Sequence, residues 1–93
     1  MHMQYILFKD SGDKDYFNIN MQQARGSIFI IANDASAASF IGVIRRAGTA
    51  ATVDKMGGNA STNIAATIAG NTITVSGVGN WFNALLLSTT VIS

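Results

Sequence analysis

The sequence contains no cysteine, no proline and no glutamate, and its one histidine, His2, stands between Met1 and Met3. The lack of cysteine excludes a disulfide framework, a thiolate metal site and a cysteine nucleophile. We interpret residues 1–3 as an expression remnant, which leaves 4–93 as a single domain. Without His2, neither a histidine-based triad nor a histidine metal site can form. The sequence therefore predicts no enzyme activity and no cofactor.

Charge is also scarce, because only 12% of the residues are charged while 48% are hydrophobic. The net charge of +1 gives no electrostatic reason for binding nucleic acid. No apolar run approaches the roughly 18 residues of a membrane span, and no signal-peptide pattern is present. A surface with so few charges is expected to leave apolar area for a partner to cover.

Short apolar or alternating segments recur about every ten residues, with turn residues between them. This spacing predicts an all-β fold, an antiparallel, jelly-roll-like β-sandwich of seven to eight short strands, with a small barrel as the alternative. A helix over 32–44 is disfavoured by turn residues and β-branched side chains. The predicted strands are 4–9, 16–21, 28–31, 39–46, 48–55, 61–69, 72–78 and 81–87, with 89–93 as a continuation.

The clearest local signal is the pair Gly70-Asn71, which is typical of a two-residue hairpin loop because glycine adopts positive φ without steric cost. Counting outward from the loop places Ile68 opposite Ile73. A shift of one residue would turn both isoleucines toward water, so the turn and the hydrophobic pattern predict the same register.

Three aspartates, Asp10, Asp13 and Asp15, lie in one short loop and are the candidate ligands for a calcium ion. Their spacing is not that of an EF-hand, no bidentate glutamate follows, and Lys14 lies among them. A solvated hairpin turn is the favoured interpretation of this loop.

Trp81 is the candidate ligand-binding aromatic, because it is flanked by the amide side chains of Asn80 and Asn83. An exposed indole can stack on a sugar ring while neighbouring amides bond the hydroxyl groups. Phe82 follows directly, and neighbouring residues of a strand face opposite sides, so at most one of the two aromatic rings enters the core. The same rule directs Arg45 and Arg46 apart, one of them toward Asp54 or Asp34.

Segments 28–31 and 85–87 are apolar at consecutive positions, so each presents hydrophobic side chains to both faces of its sheet. A two-layer sandwich covers only one face of each sheet, which predicts an obligate homo-oligomer. The predicted interface residues are Ile28, Ile30, Phe82, Leu85, Leu86 and Leu87.

The run 68–81, IAGNTITVSGVGNW, resembles the closing segments of bacteriophage fibre and appendage proteins, which include tail-fibre, receptor-binding and head-fibre proteins. The resemblance covers at most the last third of the chain and carries no diagnostic motif, so no site residue is transferred. It implies a homotrimeric β-sandwich on a virion appendage whose outer surface contacts a host cell-surface glycan. A small monomeric carbohydrate-binding module is the alternative, and the oligomer mass distinguishes the two.

Overall fold

The computed structural model describes residues 5–36, 38–59, 64–77, 79 and 81–93. Within them the chain is all-β, as predicted, and contains no helix that is long and apolar enough to cross a membrane. The eight strands are β1 (Tyr5–Asp10), β2 (Tyr16–Asn20), β3 (Arg25–Asn33), β4 (Ser39–Ala47), β5 (Ala50–Gly57), β6 (Ala65–Ala69), β7 (Thr72–Ser76) and β8 (Asn83–Ser88).

The strands form two antiparallel sheets that pack as a sandwich. The larger sheet has the order β1-β8-β3-β4-β5, and the smaller has the order β2-β7-β6. The arrangement is jelly-roll-like in that the connections β1–β2, β2–β3, β5–β6 and β7–β8 pass from one sheet to the other. It departs from alternation at β3, β4 and β5, which form a meander within the larger sheet.

The predicted hairpin is confirmed in every described pair. Ile68 lies opposite Ile73, and Thr67 lies opposite Thr74. Gly70 has a φ of 61°, which is the conformation required at the first position of a type II′ turn. A second two-residue loop, Gly48-Thr49, joins β4 to β5, and the φ of Gly48 is 63°. Gly48 and Thr49 were predicted to lie within a strand, 48–55, which instead begins at Ala50.

The core lies between the sheets and is built from alternate residues of the strands that face it. Phe17 and Phe82 are in contact there, with ring centroids 5.0 Å apart. The buried hydrophobic residues are Phe17, Ile19, Met21, Ile28, Ile30, Ala32, Phe40, Ile44, Ile64, Ile73, Val75, Phe82, Ala84, Leu86 and Ile92. The segment after β8 does not continue that strand as predicted, because Ile92 instead bridges Met21 at the end of β2.

Arg46 is buried where the two sheets meet, with only 9% of its surface exposed. Its guanidinium donates to the carbonyl oxygens of Gly48, Gly70 and Met21 and to the side-chain oxygen of Asn71. Gly48 and Gly70 belong to the two hairpin loops, one in each sheet. Arg46 therefore ties the two sheets together at this end of the sandwich.

Arg45 points to the opposite side of the larger sheet, as the alternation of a strand requires. It forms an ion pair with Asp54, the Nε–Oδ2 distance being 2.9 Å, and both side chains are more than half exposed. The predicted divergence of the two arginines is confirmed, and Asp54 is the partner that Arg45 takes.

Candidate functional site

The side of the larger sheet that faces away from the core is apolar across four strands. We call this surface the outer face. It consists of Ile6 and Phe8 on β1, Leu85 and Leu87 on β8, Phe29 and Ile31 on β3, and Ile41 and Val43 on β4.

The strand register arranges these eight side chains in two straight rows. The first row runs Ile6, Leu87, Phe29, Val43, and the second runs Phe8, Leu85, Ile31, Ile41. Residues directly opposite on neighbouring strands have their Cβ atoms about 4.5–5.5 Å apart, so each row is continuous.

The outer face is open to solvent in the single chain. Phe8 is 76% exposed, Ile6 is 62% exposed and Ile31 is 42% exposed. Beside the first row lie Arg45 and Asp54, whose charges neutralise each other. Contiguous apolar surface of this kind is typical of an interaction site rather than of a solvated surface.

The outer face holds only two of the six predicted interface residues, Leu85 and Leu87. The other four, Ile28, Ile30, Phe82 and Leu86, are 0% exposed in the core. They are therefore not available to a partner, and the interpretation of these four residues is corrected.

The side of each strand that faces away from the core could have been inferred from polar residues at alternate positions of the same strand. Ser27 and Asn33 have the same parity as Phe29 and Ile31, and Asn83 has the same parity as Leu85 and Leu87. Because alternate residues share a face, each of these polar residues marks the solvent side of its strand.

A row of polar residues borders the outer face along the second apolar row. Asn83 lies opposite Asp10 on one side and Asn33 on the other, and Asn33 in turn lies opposite Ser39. We call these four residues the polar border. Where the border meets the apolar row there is a depression of about 410 Å³, which is lined by Phe8, Lys9, Asp10, Ile31, Asn33, Asn83, Ala84 and Leu85.

Trp81 lies in the connection between β7 and β8 and is 58% exposed, whereas Phe82 is buried. The prediction that only one of the two rings enters the core is confirmed. Trp81 has a φ of 59°, the only positive φ at a non-glycine residue in the described part of the chain. Its backbone N–H donates to the carbonyl of Gly12 over 2.6 Å, so the backbone of Trp81 is held beside the first loop. Asn80 lies outside the described residues.

The aspartates of the first loop do not form a cluster. Asp10 accepts a hydrogen bond from the backbone N–H of Gly12 over 2.8 Å, which is an Asx turn. The loop is not the hairpin that the sequence predicted, because it joins β1 of the larger sheet to β2 of the smaller sheet. In the described ranges, no three acidic or histidine side chains lie close enough together to hold a metal ion. The geometry thus gives no support to calcium binding by Asp10, Asp13 and Asp15, which stays an untested prediction.

Comparisons with known proteins support the fold and nothing finer. No protein-family model matches the chain, and no curated protein matches it. Among solved structures, the chain is similar to tailspike protein gp49 of Acinetobacter baumannii bacteriophage Fri1, a capsular polysaccharide depolymerase. The TM-score is 0.55 at 9% sequence identity, and the match covers 97% of this chain but only 18% of that protein. At this identity the likeness is one of fold, a β-sandwich of a kind that occurs within a phage tailspike.

Proposed function

We propose that this chain is a structural, self-associating domain of a virion fibre or tailspike, and that it joins copies of itself through the outer face. The observation that carries this proposal is the pair of apolar rows on the larger sheet. The likeness to part of a phage tailspike supports the virion setting, and the resemblance of the segment 68–81 to fibre proteins supports the same setting independently.

A second copy is the partner that best fits the chemistry of the outer face. No helix in the described part of the chain covers the outer face. The charges of Arg45 and Asp54 cancel in their ion pair, so this pair does not favour a charged partner. Apolar side chains contribute roughly 1.5–3 kcal/mol each on full burial, so covering the exposed parts of the first row offsets part of the cost of association. The number of copies, three, follows from the fibre resemblance alone.

A monomeric carbohydrate-binding module is the second candidate function. The exposed and conformationally strained Trp81 favours it, because strained backbone is found preferentially at functional sites. As a virion domain the chain contacts a host cell-surface glycan, and as a monomeric module it binds a carbohydrate. We assign no depolymerase activity to it, since it spans only 18% of the tailspike that carries that description.

The test is the mass in solution, measured by light scattering, for the chain and for Leu87→Asp. Leu87 lies in the first apolar row, between Ile6 and Phe29. We expect the unchanged chain to show three times the 9.8 kDa mass of one chain at micromolar concentration. The Leu87→Asp variant is expected to show a single-chain mass, because association would bury its carboxylate without a partner.

The matched control is Thr67→Asp, which places the same charge on the solvent side of the smaller sheet, where Thr67 lies opposite Thr74. We expect this variant to keep the mass of the unchanged chain. A folded single-chain mass for the unchanged protein would overturn self-association and leave the carbohydrate-binding module as the function. Equal masses for Leu87→Asp and the unchanged oligomer would show that the outer face is not the interface.

A further inference from the structure

The depression at the polar border has the dimensions and the lining of a small-ligand site. Its volume of about 410 Å³ lies in the range of roughly 300–1,000 Å³ that is typical of ligand pockets. Such pockets have mainly apolar walls with a few well-placed polar groups. Here the apolar wall is formed by Phe8, Ile31 and Leu85, and the polar groups come from the next row of the same sheet.

Phe8 supplies an aromatic surface at the side of the depression. It is on β1, one of the two edge strands of the larger sheet, and is 76% exposed, the highest value among the large hydrophobic residues of the described part of the chain. A phenyl ring held on a strand is a rigid apolar surface, and the C–H face of a pyranose ring is flat and apolar. The two can therefore stack, as apolar faces do with aromatic rings.

The amide groups of Asn33 and Asn83 stand beside this aromatic ring. The two residues are direct cross-strand neighbours, so their amides are close enough to contact adjacent hydroxyl groups of one sugar. Neither amide side chain takes part in a hydrogen bond within the described residues. Each amide can both donate and accept, which matches the hydroxyl groups of a saccharide.

Asp10 is the acidic group of the depression, and its side chain has the same outward parity on β1 as that of Phe8. Lys9 also lines the depression, but it has the opposite parity and lies opposite the buried Ala84. One oxygen of Asp10 already accepts from the backbone of Gly12. An anionic ligand is therefore disfavoured here, and a neutral one fits better.

We propose that this depression binds a neutral saccharide unit, which stacks on Phe8 and forms hydrogen bonds with Asn33 and Asn83. The inference rests on the glycan contact of the proposed function and not on self-association. It also changes which aromatic residue contacts the sugar. Trp81, the residue indicated by the sequence, does not line the depression, whereas Asn83 belongs to both sites.

The saccharide site is compatible with self-association through the first apolar row. That row, Ile6, Leu87, Phe29 and Val43, contributes no residue to the depression. A second copy centred on the first row leaves the polar border at the margin of the contact. The sugar and the second copy then occupy neighbouring parts of one sheet face.

The experiment is an NMR titration of the whole chain with neutral methyl pyranosides of glucose, galactose, mannose and N-acetylglucosamine, and with methyl glucuronide as the charged comparison. We expect at least one neutral glycoside to shift the side-chain amide signals of Asn33 and Asn83 and to bind with a millimolar Kd. The double variant Asn33→Ala, Asn83→Ala should weaken that binding by about tenfold or more, since each lost hydrogen bond lowers affinity severalfold. The variant Phe8→Ala should weaken it similarly.

The control variant is Asn18→Ala, the same change on the solvent side of the smaller sheet, where Asn18 accepts a hydrogen bond from Thr74. Its affinity should stay within about twofold of the unchanged chain. The proposal is overturned if no neutral glycoside shifts either amide signal, if the shifts centre on Trp81, or if the glucuronide binds more tightly than every neutral sugar. Light scattering on the same samples reports self-association separately, so failure of the saccharide site and failure of the oligomer remain distinguishable.

Discussion

The two sheets of this sandwich present opposite chemistry on their outer sides. On the smaller sheet the outward rows are Tyr16, Ser76, Ala65, then Asn18, Thr74, Thr67, then Asn20, Thr72, Ala69. On the larger sheet the outward rows contain eight large apolar side chains. In both sheets, alternate residues of each strand point into the shared core and are apolar. The two sheets therefore differ only in the residues that point away from the core.

This difference indicates what each surface contacts. Hydroxyl and amide groups keep the smaller sheet solvated with almost no charge, as the hydrogen bond of 2.8 Å between Thr74 and Asn18 illustrates. The chain can therefore cover a β-sheet with neutral polar residues where water is the neighbour. Its use of isoleucine, leucine and phenylalanine on the other sheet indicates a neighbour that is not water.

The largest expected loss of stability comes from placing a charge in the core, and β3 allows the same change to be made on the core side and on the outer face. Ile28 is fully buried, and Phe29, the next residue, lies in the first row of the outer face. We expect Ile28→Asp to unfold the domain, because an unpaired carboxylate in the core costs several kcal/mol, comparable with the whole stability of a small domain. Circular dichroism and thermal denaturation measure this.

The matched variant is Phe29→Asp, which we expect to keep the β-sheet spectrum while the mass falls to that of one chain. This pair of variants tests the comparison directly. If Phe29→Asp unfolds the chain as Ile28→Asp does, the outer face is needed for folding of the single chain. If Phe29→Asp leaves the oligomer intact, the outer face has a role other than self-association.

A smaller loss of stability is expected from replacing Arg46, and it should exceed the loss from replacing its neighbour Arg45. Arg46→Met removes the donors to Met21, Gly48, Gly70 and Asn71, and the buried carbonyl of Met21 loses its partner. We expect a loss of about 2–4 kcal/mol in the free energy of unfolding, measured by urea denaturation.

Arg45→Met is the control for this change, with a smaller expected loss of about 0–1 kcal/mol, because the ion pair of Arg45 with Asp54 is more than half exposed. Equal losses for the two variants would contradict the role of Arg46 in joining the sheets. If the mass in solution of the Arg45→Met variant fell to that of one chain, the interface would include the edge of the outer face where Arg45 lies.

Much of the fold was predictable from local signals. The pair Gly70-Asn71 and the flanking isoleucines determine one register, because turn geometry and hydrophobic alternation agree there. The assignment of strands to sheets was not predictable, since pairing of β8 with both β1 and β3 depends on contacts between residues far apart in sequence. The role of Arg46 was not predictable either, because its partners Met21, Gly70 and Asn71 are far from it in sequence.

The candidate site was predictable only in part. Exposure of one of the pair Trp81 and Phe82 was predicted from strand alternation, although both residues lie before the start of β8. Which ring enters the core depends on the contact between Phe82 and Phe17. The depression depends on three strands, β1, β8 and β3, that meet only in the folded sheet. No spacing within the sequence places Phe8 beside Asn33 and Asn83.

The contacts of Arg46 have a consequence for the behaviour of the fold in acid. Acid unfolding arises mainly from the protonation of carboxylates that are paired in the native state. All the acceptors described for Arg46 are carbonyl or amide oxygens, which do not titrate in that range. The connection between the sheets is thus made by a permanent cation and neutral acceptors, so we expect it to persist in acid. The thermal midpoint should differ little between pH 7 and pH 4, and a fall of more than about 8 °C, equivalent to roughly 1–2 kcal/mol, would contradict this.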